Sequence, residues 1–175
     1  MKRFCLPIFL ALFFSHYSLA AKPEAQYTVE VLDSFCIQNQ DDFSNIIHMA
    51  KSYGGRILPN DQADPVMREL GGSTVHVPYE NRSYIVAFAN EGGCSVVAKK
   101  IDHIKLKAIL IKYFKVELLD KQESLSQINE MYKVTAEGIY SGSILSLVYA
   151  QPETGFTSGS ISYVPAKIVD GAIGK

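Results

Sequence analysis

The sequence predicts an α+β domain: mainly an antiparallel sheet, with one or two helices packed on one face. Three observations predict it. An early segment has strong helical periodicity, the later chain is a string of β-prone runs cut by glycine turns, and the strand–helix alternation of a doubly wound fold is missing.

The elements follow in order. Met1-Lys2-Arg3, an apolar run from Phe4 to Phe14 and the small residues Ser18 and Ala20 have the layout of a secretory signal peptide. The run is too short for a spanning helix, which needs roughly 20 apolar residues. Cleavage after Ala20 is expected, leaving residues 21–175 as one soluble domain with no integral membrane segment. Cys5 lies too far upstream to carry a lipid at the cleavage point. Residues 21–26 read as a polar leader, and Tyr27–Leu32 as a short strand or an extended lead-in to Phe35-Cys36.

Phe43, Ile46, Ile47 and Ala50 stand at i, i+3, i+4 and i+7, one face of a helix. Asp41 is placed to cap it and Gly54 to end it. Residues 56–82, with three prolines and a Gly71-Gly72 pair, read as mostly loop with a turn of helix near Pro65 to Leu70. Ser83–Ala89 and Cys94–Lys99 flank Asn90-Glu91-Gly92-Gly93 as a β-hairpin.

His103–Phe114 is open to two readings. Ile104, Ala108 and Ile111 share a helical face, while Ile104–Ala108 also alternates as a strand would. Length and the unbroken run Ala108–Ile111 favour the helix, capped by Asp102 and largely buried. Strands are expected at 116–119, 127–137, 140–150 and 160–164, punctuated by Gly138, Gly155 and Gly159.

Composition limits the function. Losing Lys2 and Arg3 takes seventeen basic residues to fifteen against eighteen acidic ones, a formal charge near −3. No basic cluster offers a footprint for nucleic acid or an anionic membrane. Processing also removes Cys5, and two cysteines in an exported chain favour one disulfide, Cys36–Cys94, over a free structural or reactive thiol.

Catalytic and cofactor motifs are not apparent. His48, His76 and His103 have no metal-ligand spacing, the Ser-Gly pairs lie between strands instead of on a nucleophile elbow, and the Gly-Gly pairs match no phosphate cradle. No metal or cofactor is therefore expected. Tyrosine is abundant in the β-rich parts, and with its apolar body and polar tip it suits interfaces as well as sheets. Arg56, Arg68, His76, Tyr79, Tyr84 and Tyr140 form the candidate binding surface.

Phe35-Cys36, a helix ending in Gly54-Gly55, and Gly92-Gly93-Cys94-Ser95-Val96 together resemble a class of small exported proteins of Gram-negative bacteria. These share a Phe-Cys before a first helix and a Gly-x-Cys-x-Val-type strand. The resemblance covers about the first half of the mature chain. It implies export and pairing of the cysteines, and brings no assigned activity or catalytic residues.

The functional expectation is a periplasmic or secreted protein without enzymatic activity that binds another envelope or secreted protein, as an inhibitor, immunity factor or assembly accessory. The alternatives are a small hydrolase or ligand-binding module with its site in residues 56–82, using Arg56, Asp61, Asp64, Arg68, Glu69 or His76, and a secreted effector. Amino-terminal sequencing of the protein recovered from the envelope or medium should begin at Ala21; a mature chain that still starts at Met1 would refute the signal.

Overall fold

The computed structural model describes residues 22–173, so the expected signal peptide lies outside the described residues. Eight strands form one sheet, all neighbours antiparallel, in the order β1-β2-β3-β4-β8-β7-β6-β5. They are β1 (Arg56–Ile57), β2 (Ser73–Tyr79), β3 (Arg82–Ala89), β4 (Gly93–Ala98), β5 (Val116–Glu123), β6 (Gln127–Val134), β7 (Ile144–Ala150) and β8 (Gly159–Val164). Five α-helices accompany them: α1 (Glu24–Val31), α2 (Asn45–Ser52), α3 (Pro65–Glu69), α4 (His103–Phe114) and α5 (Ala166–Ile173).

The topology is two meanders joined at a seam. Strands β2 to β4 run in sequence, α4 carries the chain to the far edge, and β5 to β8 fold back until β8 pairs with β4. Antiparallel pairs need only tight turns, so one long crossover suffices. The β2–β3 turn is Glu80-Asn81, both at positive φ (48° and 60°), the twist that matches a two-residue hairpin. Gly93 opens β4 at φ 119°, where a Cβ would come within 2.5 Å of the Tyr163 carbonyl oxygen of β8.

Period-two alternation sorts the strands into two faces. The inner face carries Val75 and Val77, Tyr84, Val86 and Phe88, Cys94 and Val96, Leu145 and Leu147, and Ile161 and Tyr163, all buried in one continuous core. From the helical side come Val29 and Leu32, Phe35, Ile46 and Ala50, and Leu106, Leu110 and Phe114. Burying an aliphatic or aromatic side chain of this size contributes roughly 1.5–3 kcal/mol.

Helical cover is not confined to one face. The segment around α3 covers the outer face at the β2–β3 end: the Thr74 hydroxyl accepts the Asp64 N–H at 2.9 Å, and Ala87 and Ala89 are buried beneath it. Asp64 also caps α3 through the Met67 N–H.

Several expectations change. Tyr27–Leu32 is helical, because Ala25, Val29 and Leu32 pack inward at helical spacing and tertiary burial overrides β-branched propensity. The helix continues into a π turn at Leu32–Cys36. Residues 56–82 hold the expected turn of helix as α3 but are not mainly loop, since β1 and β2 also lie within them. Pro78 disguises β2; it stands beyond the two-residue β1, where β2 is the sheet's free edge and a missing N–H costs no ladder bond.

Helix α2 starts four residues after Asp41. Asp42, not Asp41, accepts the Ser44 N–H at 2.9 Å, while Gly54 ends the helix at φ 79° as expected. The 103–114 segment is a helix capped by Asp102, but Ile104, Ala108 and Ile111 face solvent and the buried stripe is Leu106, Leu110 and Phe114. Helix α5 has no counterpart in the expected elements.

The cysteines are joined as Cys36–Cys94, with Cα atoms 5.4 Å apart and both residues fully buried. This covalent tie is consistent with an oxidising compartment. The bond closes a loop of 58 residues, so loop-closure entropy predicts that replacing both cysteines with alanine lowers unfolding free energy by about 4 kcal/mol. Urea unfolding of wild type and the double variant measures the difference. If thiol alkylation labels both cysteines in unreduced, denatured mature protein, the pairing is wrong.

Candidate functional site

The outer face of the sheet is where the chain leaves chemistry accessible. Strand register sets Arg56, His76, Ile85, Val97, Ser160, Val148 and Asn129 in one row across seven strands. A parallel row runs Thr74, Ala87, Ser95, Ser162, Ser146 and Met131. The α3 end of the second row is buried, whereas Ser162, Ser146 and Met131 keep partial access to solvent.

Two adjoining clefts, each of about 300 Å³, open along the first row and share Val97 and Ser158. One has a floor of Leu58, Ile85 and Val97, with Arg56, His76 and Lys99 around it and no carboxylate in its lining. Among the described residues neither Arg56 nor Lys99 forms an ion pair. The second cleft is walled by Val148, Ala150, Ser160 and the 73% exposed Phe156. His76 Nε2 lies 2.8 Å from Ser83 Oγ at the rim of the first.

The residues expected to form a binding surface are therefore split. Arg56 and His76 are register partners in one cleft. Arg68 stands on α3 and donates to the Asn60 carbonyl at 3.1 Å. Tyr79 is half-buried on the inner face, its ring 5.8 Å from that of Tyr53 and its hydroxyl donating to Glu30 at 3.4 Å. Tyr84 is a core residue, 1% exposed, because its position on β3 alternates inward. Its hydroxyl donates to Glu24 at 2.9 Å; burial, and then that carboxylate, raise its pKa. Tyr140 sits beside α4 with its ring edge-on to Phe114 at 5.2 Å.

Lys99, Ser83, Ser158 and Phe156 complete the outer clefts, and none of them belongs to the expected binding surface. Their common signal is strand phase: each lies on or beside a strand, and only the pairing register places it on the same face as Arg56 and His76.

One further charged cluster lies on the inner face, beneath α4. Glu130 is 4% exposed. Lys107 Nζ approaches its carboxylate at 2.8 Å, while the hydroxyls of Tyr132 and Tyr149 donate to it at 2.7 and 3.1 Å. Burial pushes the Glu130 pKa up, but Lys107 and Tyr132 outweigh it, and the carboxyl titrates below its usual range. His103 stacks on Tyr149 with ring centroids 4.3 Å apart.

Both oxygens of Glu130 are occupied by donors that hold the ionised form. The cluster fixes α4 to β6 and presents no free acid or base. The sequence marks it only as a glutamate on the inward phase of Ile128-Asn129-Glu130-Met131-Tyr132.

Among the described residues no group of three or more His, Cys, Asp or Glu side chains gathers into a metal-binding set, and no helix is long and apolar enough to cross a membrane. Comparison with known proteins gives no significant match to a family model, a curated protein or a solved structure.

The Glu130 pair sets a pH dependence. A carboxyl whose folded pKa is depressed contributes stability that is present above its unfolded pKa and is lost as pH falls through the folded value. Glu130→Gln leaves the half-buried Lys107 without its counter-charge and should cost about 1–3 kcal/mol at pH 7. In urea unfolding the gap between wild type and variant should narrow steadily below about pH 4; a gap independent of pH would show that the carboxylate's charge is not what matters.

Proposed function

We propose that this protein is exported and acts without catalysing a reaction, by binding another envelope or secreted protein across the outer face of its sheet. The observation that carries the reading is the pair of adjoining clefts, with Arg56 and Lys99 in no ion pair among the described residues in one and an apolar wall ending in exposed Phe156 in the other. An apolar floor beside unneutralised cations fits a partner segment that brings apolar side chains together with a carboxylate.

Hydrogen bonds between side chains of the face support the same reading: Ser162 bonds Ser95 at 3.0 Å and Ser146 bonds Asn129 at 2.9 Å. Side chains already fixed in this way lose little conformational entropy when a partner covers them.

A second reading, a small hydrolase or ligand-binding module using the same cleft, has one observation in its favour: the 2.8 Å contact between His76 and Ser83. Nucleophile and base would stand in the right relation. Among the described residues no carboxylate hydrogen-bonds His76 to orient it, so the protein-binding reading is preferred.

Affinity capture from envelope extracts should recover a stoichiometric partner with wild-type protein and lose it with Arg56→Glu/Lys99→Glu, whose exposed positions leave the fold intact. Recovery by both forms alike would remove the outer face from the reading. Recovery by neither, where established envelope complexes survive, would overturn partner binding. Labelling of Ser83 by an active-site-directed phosphonate would favour the hydrolase instead.

A further inference from the structure

We propose that the cleft between α1 and α4, on the inner side of the sheet, binds a small organic ammonium ion: a primary or quaternary ammonium group on a short apolar chain. This site is separate from the outer face and stands independently of the function proposed above.

The cleft encloses about 220 Å³ between Val29 and Asp33 on one side and Tyr113, Phe114 and Tyr140 on the other, with Glu30 at its border. No lysine or arginine lines it. Its two carboxylates differ in what they meet. Glu30 is already neutralised by Lys22 at 2.8 Å. Asp33 receives a single side-chain donor, and a neutral one: Gln38 Nε2 at 3.3 Å. A carboxylate among aromatic rings, with no cation supplied by the described chain, is a charge left for a ligand to balance.

The rings suit an organic cation more than a metal ion. A single carboxylate gives too few oxygens for calcium or magnesium, whereas ring faces attract alkylated ammonium groups through their quadrupole. Phe114 and Tyr140 meet edge to face, 5.2 Å apart at 87°, so the two rings stand at right angles beside one cleft. Tyr113 is 53% exposed at the mouth, and its ring already draws the Lys112 ammonium to 5.1 Å.

The backbone supplies a further reason. Asp33 lies within the π turn Leu32–Cys36, where the widened helix changes the direction in which side chains leave it. Such turns recur at functional sites because regular α-helix is otherwise the better-bonded choice. Here the turn is anchored at its last residue by the disulfide to β4.

The test is a two-dimensional amide NMR titration of the oxidised mature protein with choline, n-butylammonium and the uncharged choline isostere 3,3-dimethyl-1-butanol. Saturable shifts confined to the π turn, the last turn of α4 and the neighbourhood of Tyr140 are expected with either ammonium compound or both, with Kd on the order of 1 mM. The alcohol should bind at least about tenfold more weakly. Asp33→Asn should reduce affinity by about tenfold and Tyr113→Leu by about threefold, with spectra as dispersed as wild type. Equal shifts from the alcohol, or no saturable shifts in the cleft from either ammonium at about 50 mM, would overturn the proposal. Because the isostere comparison uses the unmodified protein, it decides the matter even if a variant fails to fold.

Discussion

The Cys36–Cys94 bond is the constraint on which the rest of the structure depends. Cys94 lies on β4, the strand that joins the two meanders, and it faces Tyr163 of β8 directly across the seam. Cys36 closes the π turn that follows α1. One covalent link therefore fixes the helical layer above the β4–β8 pair, which holds the two halves of the sheet together. Both sulfurs are in the core, among Phe35, Phe88 and Val96, so the tie reinforces hydrophobic burial at the place where the topology is least local.

How much of this was legible depended on whether local pattern and tertiary demand agreed. The disulfide, the 45–52 helix, the Asp102 cap and the β3–β4 hairpin were legible, because each has a signal carried by nearby residues: a two-cysteine count, a 3.6-residue period, a capping side chain, a glycine turn. Tyr27–Leu32 misled because its weak alternation reads as a strand, while Val29 and Leu32 are placed at helical spacing by packing against the core. The outward set Ile104, Ala108 and Ile111 gave the right element for 103–114 and the wrong buried face, since an apolar arc wider than the contact leaves periodicity unable to choose a side. The candidate site was legible in fragments. Arg56 and His76 come together, but Tyr84 belongs to the core, and the outer clefts exist only once β1, β2, β3, β4 and β8 are in register. Pairing register is non-local information that one strand's sequence does not hold.

Two carboxylates beneath the helices find partners from other elements, unlike the cations of the outer face: Glu24 takes Arg82 at 2.6 Å and the Tyr84 hydroxyl, and Glu130 takes Lys107 with two tyrosines. These pairs join α1 to β3 and α4 to β6, and the second does so around a carboxylate that is almost fully buried, where losing the counter-charge is costly. On the outer face Arg56 and Lys99 have no such partner among the described residues, and water screens them. Their charge remains available for an external group, as the internal pairs do not.

The proposed recognition by the face of the sheet, and not by its edges, is favoured by how those edges are built. A bare strand edge is the commonest place for one chain to add to another. At one side β5 carries Glu117, Asp120, Lys121 and Glu123 in a nearly fully exposed run, with a bulge between Leu118 and Asp120 that breaks the regular spacing an added strand would need. At the other side β1 covers β2 for only two residues, and the uncovered stretch of β2 contains Pro78, which has no N–H to offer. Both edges thus resist strand addition, including self-association. What remains open is the row from Arg56 to Val148, where the proposed recognition would rest on side chains and clefts instead of backbone hydrogen bonds, and where selectivity would be set by which apolar and charged groups a partner brings.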